Sequence, residues 1–406
     1  MEITTNSGNT YSYLPKGNEI VCGSVAEKFE WTFNPLKFFR KLPNVGMFIL
    51  GMTEQCNLRC RYCCYSGNYH GKRSHGYRNL SFNDIDSIIE FIESTTGKNS
   101  KRIAFYGGEP LLNFENIQYC VDACRRKWGQ FVSFSISTNG TLLNPKSIDW
   151  LIRNDVEIAI SLDGPKYFHD KNRVFSNGKG SFDQVRESIA YIYKHYPNPN
   201  VSFHVTLANV RDIISIARAW HEDELLNTIS PTMVHGLTPN FEYGVSEIDY
   251  DDVREFYSNL IDAYQSHSDW QVLKVFLEEA VSAWKERLIF DINDPIELST
   301  CLPVNTKLYI DSKREIAVCE KFSDDFRIGT VESGVDWDKA NKLIKTYYDA
   351  KVERCSHCPI VRMCDLCLTA VEYTPEQMRV LCHNERIYAR VTLYVFCEMA
   401  ERGMIQ

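Results

Sequence analysis

The sequence predicts an α/β fold, a partial (β/α)6 TIM-like barrel of parallel strands followed by a cysteine-rich C-terminal domain. Three observations carry this. From about residue 45, short apolar runs with strand character alternate with stretches of helical periodicity. Glycine and polar residues cluster just after those runs, at the strand ends that bear the active site in parallel barrels. Seven cysteines then crowd into residues 301–382.

Residues 1–44 read as an N-terminal preface. There TYSYLPKGNEIVCGSV places strand formers on both sides of a Pro-Lys-Gly-Asn turn, which predicts a hairpin and a candidate peptide-docking element. Phe48 to Met52 is the first barrel strand and leads into a cysteine loop. Ser81 stands where it can cap a helix whose Ile85, Ile88, Ile89 and Ile92 recur at helical spacing. Further strands are expected at Arg102–Tyr106, Val132–Ser137, Val156–Leu162, Val201–Leu207 and Pro231–His235. Helices fill the gaps, among them Ser147–Asn154 and Phe182–His195. The expected domains are the preface at 1–44, the barrel at 45–290, the cysteine-rich domain at 291–385 and a C-terminal helix at 386–406.

The chain has 406 residues, 44% of them apolar and 13% aromatic, enough for a large core and two or three domains. Its net charge of -8, with no basic surface visible, argues against a nucleic-acid partner, and the run Arg125-Arg126-Lys127 is read as a solvated helix face. No apolar run is long enough to span a bilayer, and the first residues carry no signal-peptide pattern. Fifteen cysteines without an export signal point to a reducing cytoplasm and to metal binding.

The chemistry begins at CNLRCRYC, where Cys56, Cys60 and Cys63 follow a C-x3-C-x2-C spacing. Three thiolates can hold three irons of a cubane cluster and leave the fourth open to a small molecule. Structural zinc sites pair C-x2-C knuckles into sets of four, which this run does not do. Cys64, beside Cys63, is read as a buried small hydrophobe, and Cys22, Cys120, Cys124 and Cys397 as buried structural thiols.

With that run, GGEP at Gly107–Pro110 and ISLDGP at Ile160–Pro165, the chain resembles the radical S-adenosylmethionine (SAM) enzymes. The later cysteines resemble the SPASM extension found in anaerobic sulfatase-maturating enzymes and in maturases of ribosomally made peptides (RiPPs). The segment from Ser161 to Arg173 is similar to that subgroup as well. The resemblance implies one radical SAM [4Fe–4S] cluster and two auxiliary ones, with SAM chelating the open iron and yielding a 5′-deoxyadenosyl radical. It implies that Gly107 and Gly108 let backbone approach SAM, that Glu109 fixes the loop, and that Ser161 meets a polar group of SAM. Arg173 would pair with the SAM carboxylate, and Tyr62 would lie near the adenine.

For the auxiliary clusters, the resemblance assigns Cys355, Cys358, Cys364 and Cys382 to a distal site and Cys301, Cys319 and Cys367 to a proximal one. The Cys364-x2-Cys367 spacing is one residue shorter than the family's usual pattern. Three obvious ligands leave the proximal cluster open, or ligated by a substrate thiolate. Glu320, next to Cys319, is a candidate base, with a pKa expected to be raised by a low-dielectric site. Asp163, Asp170 and Asp311 are read as turn organisers. The expected activity is hydrogen abstraction from a ribosomally made precursor peptide and installation of a cysteine thioether. Formylglycine formation on a sulfatase and carbon–carbon cross-linking are the alternatives. A flavodoxin or ferredoxin would donate electrons.

Overall fold

Alternate residues of a strand face opposite sides of a sheet, and here the two sides have opposite chemistry. Phe48, Leu50, Ile103, Phe105, Phe134, Ile136, Ile158, Ile160, Phe203 and Val205 share one side and are at most 2% exposed. Ser135, Ser137, Glu157, Ser161, His204, Thr206 and His235 share the other and are only half-buried. A face that is apolar throughout must be covered by helices, so the strands are joined by crossovers that pack there.

The computed structural model describes residues 1–41, 45–66, 73–96, 99–236, 246–297, 301, 304–321, 326–364, 366–368 and 373–405. It divides into two compact units. One comprises Phe39–Glu242 and Leu302–Asn341, the other Met1–Phe38, Tyr243–Cys301 and Lys342–Gln406. This grouping cuts across the four successive segments expected from the sequence. The expected boundary at 44 falls beside residues 42–44, outside the described residues.

The N-terminal sheet of the second-named unit is β1 (Glu2–Thr4), β2 (Thr10–Leu14) and β3 (Glu19–Cys22). β2 and β3 form the expected hairpin, with Leu14 opposite Glu19. The barrel unit then begins with β4 (Met47–Thr53), α1 (Phe82–Thr96), β5 (Lys101–Gly107), α2 (Phe114–Trp128), β6 (Val132–Thr138) and α3 (Pro145–Arg153). It continues with β7 (Val156–Ser161), α4 (Lys166–Asn172), α5 (Phe182–His195), β8 (Val201–Leu207), α6 (Ile213–Glu222) and β9 (Met233–Gly236). β4 to β9 are parallel neighbours in chain order, the six strands read from the sequence. Ser81 caps α1 as expected: its hydroxyl accepts from Asp84 N–H at 3.3 Å, and Asp84 accepts from the Ser81 backbone at 2.8 Å.

Helices α7 (Tyr250–Ser266) and α8 (Gln271–Lys285) belong to the other unit. The chain then re-enters the barrel sheet as β10 (Lys307–Ile310), which pairs in parallel with β4, Leu308 opposite Phe48. β11 (Glu315–Ala317), β12 (Arg327–Thr330) and β13 (Gly334–Val335) follow as an antiparallel meander, so that among the described residues the sheet has ten strands, running from β13 at one edge to β9 at the other. α9 (Trp337–Cys355) and α10 (Pro375–Glu401) complete the chain. α10 runs unbroken past the boundary expected at 385, because Thr374 and Gln377 form a reciprocal cap and no breaker follows before Gly403. Cys382 therefore sits inside a long helix. No described helix is long and apolar enough to cross a membrane.

Candidate active site and cysteine centres

The turn after β5 and the cysteine loop after β4 are interlocked through backbone. Gly108 N–H donates to Thr53 carbonyl at 2.9 Å and Glu109 N–H to Gln55 carbonyl at 2.7 Å. A Cβ on Gly107 would come 2.4 Å from the Thr53 carbonyl oxygen, and one on Gly108 2.0 Å from that of Gln55. The φ of +141° at Gly107 is also a glycine conformation. The close approach that these glycines permit is thus to the cysteine loop itself.

Glu109 is 1% exposed and does more than hold a turn. Its carboxylate accepts from Leu111 N–H (3.1 Å), Thr138 Oγ1 (2.7 Å) and Asn139 N–H (2.8 Å). Burial pushes its pKa up to about 7 against those stabilising donors. Glu109 therefore ties the ends of β5 and β6 together. Asn139 continues the link, donating to Asn57 Oδ1 at 2.9 Å and lying 3.9 Å from Cys56 Sγ.

Cys56, Cys60 and Cys63 are all half-buried. The Leu58 N–H donates to Cys56 Sγ and the Tyr65 N–H to Cys63 Sγ, each at 3.4 Å. Burial pushes the Cys56 thiol up to about 12 and Cys60 to about 11. Such sulfurs ionise when a metal replaces their protons. Among the described residues no three His, Cys, Asp or Glu close on a single metal ion. A cubane cluster spaces its ligand sulfurs more widely than one ion does, and soft thiolates served by N–H donors fit it. Cys64 is half-buried, not buried as expected. Cys120 and Cys124 are buried with sulfurs 3.9 Å apart, and Cys397 is buried, but Cys22 on the edge strand β3 is exposed.

Asp163 is the residue that sequence reasoning underrated. It is 2% exposed and gathers three groups. Arg173 Nε lies 3.0 Å from its Oδ2, the Tyr62 phenol donates to the same oxygen, and Thr206 N–H donates to Oδ1 at 3.2 Å. The Arg173 guanidinium also stands over the Tyr62 ring, 5.4 Å from its centroid. Behind the pair, buried His169 accepts from Asp163 N–H through Nδ1 (3.4 Å) and its Nε2 lies 3.0 Å from Ser181 Oγ, which donates to Arg173 carbonyl. Burial lowers the His169 pKa to about 4, so this strut is neutral. Arg173, expected to pair with the SAM carboxylate, stands against the carboxylate of Asp163. Ser161 ends β7 half-buried, opposite His204 of β8.

Glu320 departs from expectation. Burial raises its pKa, but the Lys307 ammonium at 3.1 Å and hydrogen bonds outweigh this and hold the carboxyl below its ordinary range. Lys307 Nζ is also 3.8 Å from Cys319 Sγ, and Tyr65 O–H donates to the Glu320 carbonyl at 2.5 Å. Burial, then Glu320, pushes the Cys319 thiol to about 12. Lys307 carried no signal in the sequence, because its link to Glu320 comes from the β10–β11 hairpin.

In the other unit, Cys355, Cys358, Cys364 and Cys382 line one open pocket with Tyr347, Lys351, Arg354 and Glu385; its volume is about 560 Å³, solvent at the mouth included. Cys367 is half-buried and is not among the lining residues, and Cys301 is exposed.

Residues 50–218 match the family model described as the Radical SAM superfamily. That stretch is a radical SAM domain. Its cofactors are accordingly SAM and a [4Fe–4S] cluster, and the later cysteines fit auxiliary clusters. The enzyme is 24% identical to the cysteine-type anaerobic sulfatase-maturating enzyme of Clostridium novyi, over 80% of this chain and 87% of that one. It is 23% identical to the radical SAM cyclopropyl synthase TigE of Paramaledivibacter caminithermalis, over 80% of this chain and 68% of that one. An uncharacterized protein of Methanocaldococcus jannaschii is 34% identical over 39% of this chain, a match spanning about half (51%) of that protein. The solved structure of native anSMEcpe with bound AdoMet and Cp18Cys peptide shares the fold, with a TM-score of 0.64 at 18% identity, over 89% of this chain and 99% of that one.

Proposed function

We propose that the enzyme matures a ribosomally made precursor peptide, abstracting a hydrogen atom and installing a cross-link, a cysteine thioether. The observation that carries this reading is the polar inner face of the sheet. Ser137, Ser161, His204, Thr206 and His235 line it at the strand ends where the cysteine loop, GGEP and the Asp163–Arg173 pair meet. A broad polar face suits peptide backbone and side chains better than an apolar ligand. Likeness to sulfatase-maturating enzymes, to a cyclopropyl synthase and to a peptide-bound fold neighbour supports a peptide or protein substrate.

In this reading Cys56, Cys60 and Cys63 hold the radical SAM cluster, and Cys301, Cys319, Cys355, Cys358, Cys364, Cys367 and Cys382 hold two auxiliary clusters. When bound, SAM and the reduced cluster supply the hydrogen-abstracting radical. Asp163 keeps Tyr62 and Arg173 in place beside the cysteine loop. Gly107, Gly108, Glu109 and Ser161 shape the SAM cradle. Glu320 stays ionised beside Lys307 and accepts a proton from the substrate. A flavodoxin or ferredoxin delivers electrons, and the enzyme works in the cytoplasm. The three-cysteine count of the proximal set supports thioether formation, since a substrate thiolate can complete it.

The adjacent Cys319 and Glu320 favour a second reading, formylglycine formation on a sulfatase. Anaerobic reconstitution with cysteine-bearing peptides and mass spectrometry separates the two. Loss of two hydrogens with an alkylation-resistant cysteine supports the thioether, and a side-chain aldehyde supports formylglycine. Production of 5′-deoxyadenosine with neither change in any peptide or sulfatase would overturn both.

A further inference from the structure

We propose that Lys351 raises the reduction potential of the cluster held by Cys355, Cys358, Cys364 and Cys382 by fixing a buried positive charge against it. The proposal rests on that ligand reading and goes beyond it to the control of electron flow.

Lys351 lies on α9 one helical turn before Cys355, so the two side chains share a face. It lines the same pocket as all four cysteines. It is only 6% exposed, which is rare for a lysine. The other charges at this pocket are placed differently: Arg354 is exposed and Glu385 half-buried. Water screens an exposed charge, whereas a buried one acts through a low dielectric. Cys355 and Cys364 sit on separate segments of the chain, yet both line this pocket with Lys351. The packing of Lys351 is also consistent with a fixed position, its Nζ 5.9 Å from the centroid of the Tyr347 ring.

Cluster reduction adds one electron and no bond, so its cost depends on the charge already nearby. A fixed cation stabilises the reduced form and raises the potential. A lysine held for packing alone would leave the potential unchanged when replaced by an uncharged side chain of similar length.

The test is a potentiometric titration followed by electron paramagnetic resonance, with dithionite as the one-electron donor. It uses the full chain carrying Cys56→Ala, Cys60→Ala and Cys63→Ala, so that only auxiliary clusters report. Lys351→Gln and Lys351→Met should move one midpoint to lower potential and leave the other in place, and Lys351→Arg should restore it. Lys345→Gln is the control: this residue is exposed on the same helix and paired with Asp349, so neither midpoint should move. Unmoved midpoints in Lys351→Gln, or an equal shift in Lys345→Gln, overturn the proposal. Failure of both uncharged variants to take up iron where Lys351→Arg succeeds also overturns it, in favour of a role in assembly. The ligand reading fails separately if Cys355→Ala with Cys358→Ala keeps the full iron content.

Discussion

Arg173 Nε lies 3.0 Å from Asp163 Oδ2, and both residues are at least 90% buried. Removing one partner of a buried pair strands the other charge. Asp163→Asn should therefore destabilise the barrel unit by about 3–5 kcal/mol. It should also weaken SAM binding, because Tyr62 loses the same acceptor oxygen. Denaturant unfolding and equilibrium dialysis with SAM measure the two effects. A variant as stable as wild type would show that Arg173 finds another anion.

Glu109 predicts a pH signature. Its folded pKa of about 7 lies above the ordinary carboxylate value because burial dominates. Its contribution to stability is therefore fully present below about 4.5 and is lost as pH rises through about 7. Glu109→Gln exchanges one accepting oxygen for an amine and should cost about 1–3 kcal/mol. The stability gap between wild type and Glu109→Gln should shrink between pH 4.5 and 7, as read by urea unfolding at a series of pH values.

The Lys307–Glu320 pair gives the opposite dependence. Glu320 is held below its ordinary range, so its contribution is present above that range and is lost as pH falls through its lowered pKa. Lys307→Met should cost about 1–3 kcal/mol at neutral pH. In the metal-free protein that loss should fade as Glu320 protonates in acid. A loss that is flat with pH would mean that Lys307 acts through packing alone.

Gly108 allows a direct test of the interlock. A methyl group there meets the Gln55 carbonyl at 2.0 Å, so the cysteine loop must shift. Gly108→Ala should take up substantially less iron on anaerobic reconstitution, by about one cluster per chain at the limit. Cys56→Ala should lose reductive cleavage of SAM outright while the auxiliary iron remains. Iron analysis and 5′-deoxyadenosine assay check both.

The six parallel strands were legible in the sequence because buried strands announce themselves locally, by short β-rich runs ended by glycine or polar residues. Phe182–His195 was readable to the residue for the same reason, since its apolar positions repeat at helical spacing. What could not be read is whatever depends on distant pairing. β10 is a four-residue run whose partner β4 lies some 260 positions earlier, and nothing local distinguishes it. Lys307, carried by β10, was invisible with it. Asp163 was noticed but underrated, since a carboxylate in an Asp-Gly-Pro turn looks local until Arg173 and Tyr62 fold onto it. The expected rise in the Glu320 pKa failed because a buried carboxylate's titration is decided by its partner as much as by its burial.

The pairing of β10 with β4 also orders events in time. As the chain leaves the ribosome, β4 can gain β5 early, but its other edge stays bare until Lys307–Ile310 emerges. For most of synthesis that edge is an unpaired row of backbone donors and acceptors beside the apolar Phe48–Met52 run, the kind of surface that recruits foreign strands. Truncations ending before residue 307 should therefore aggregate even though the six-stranded sheet is present in them.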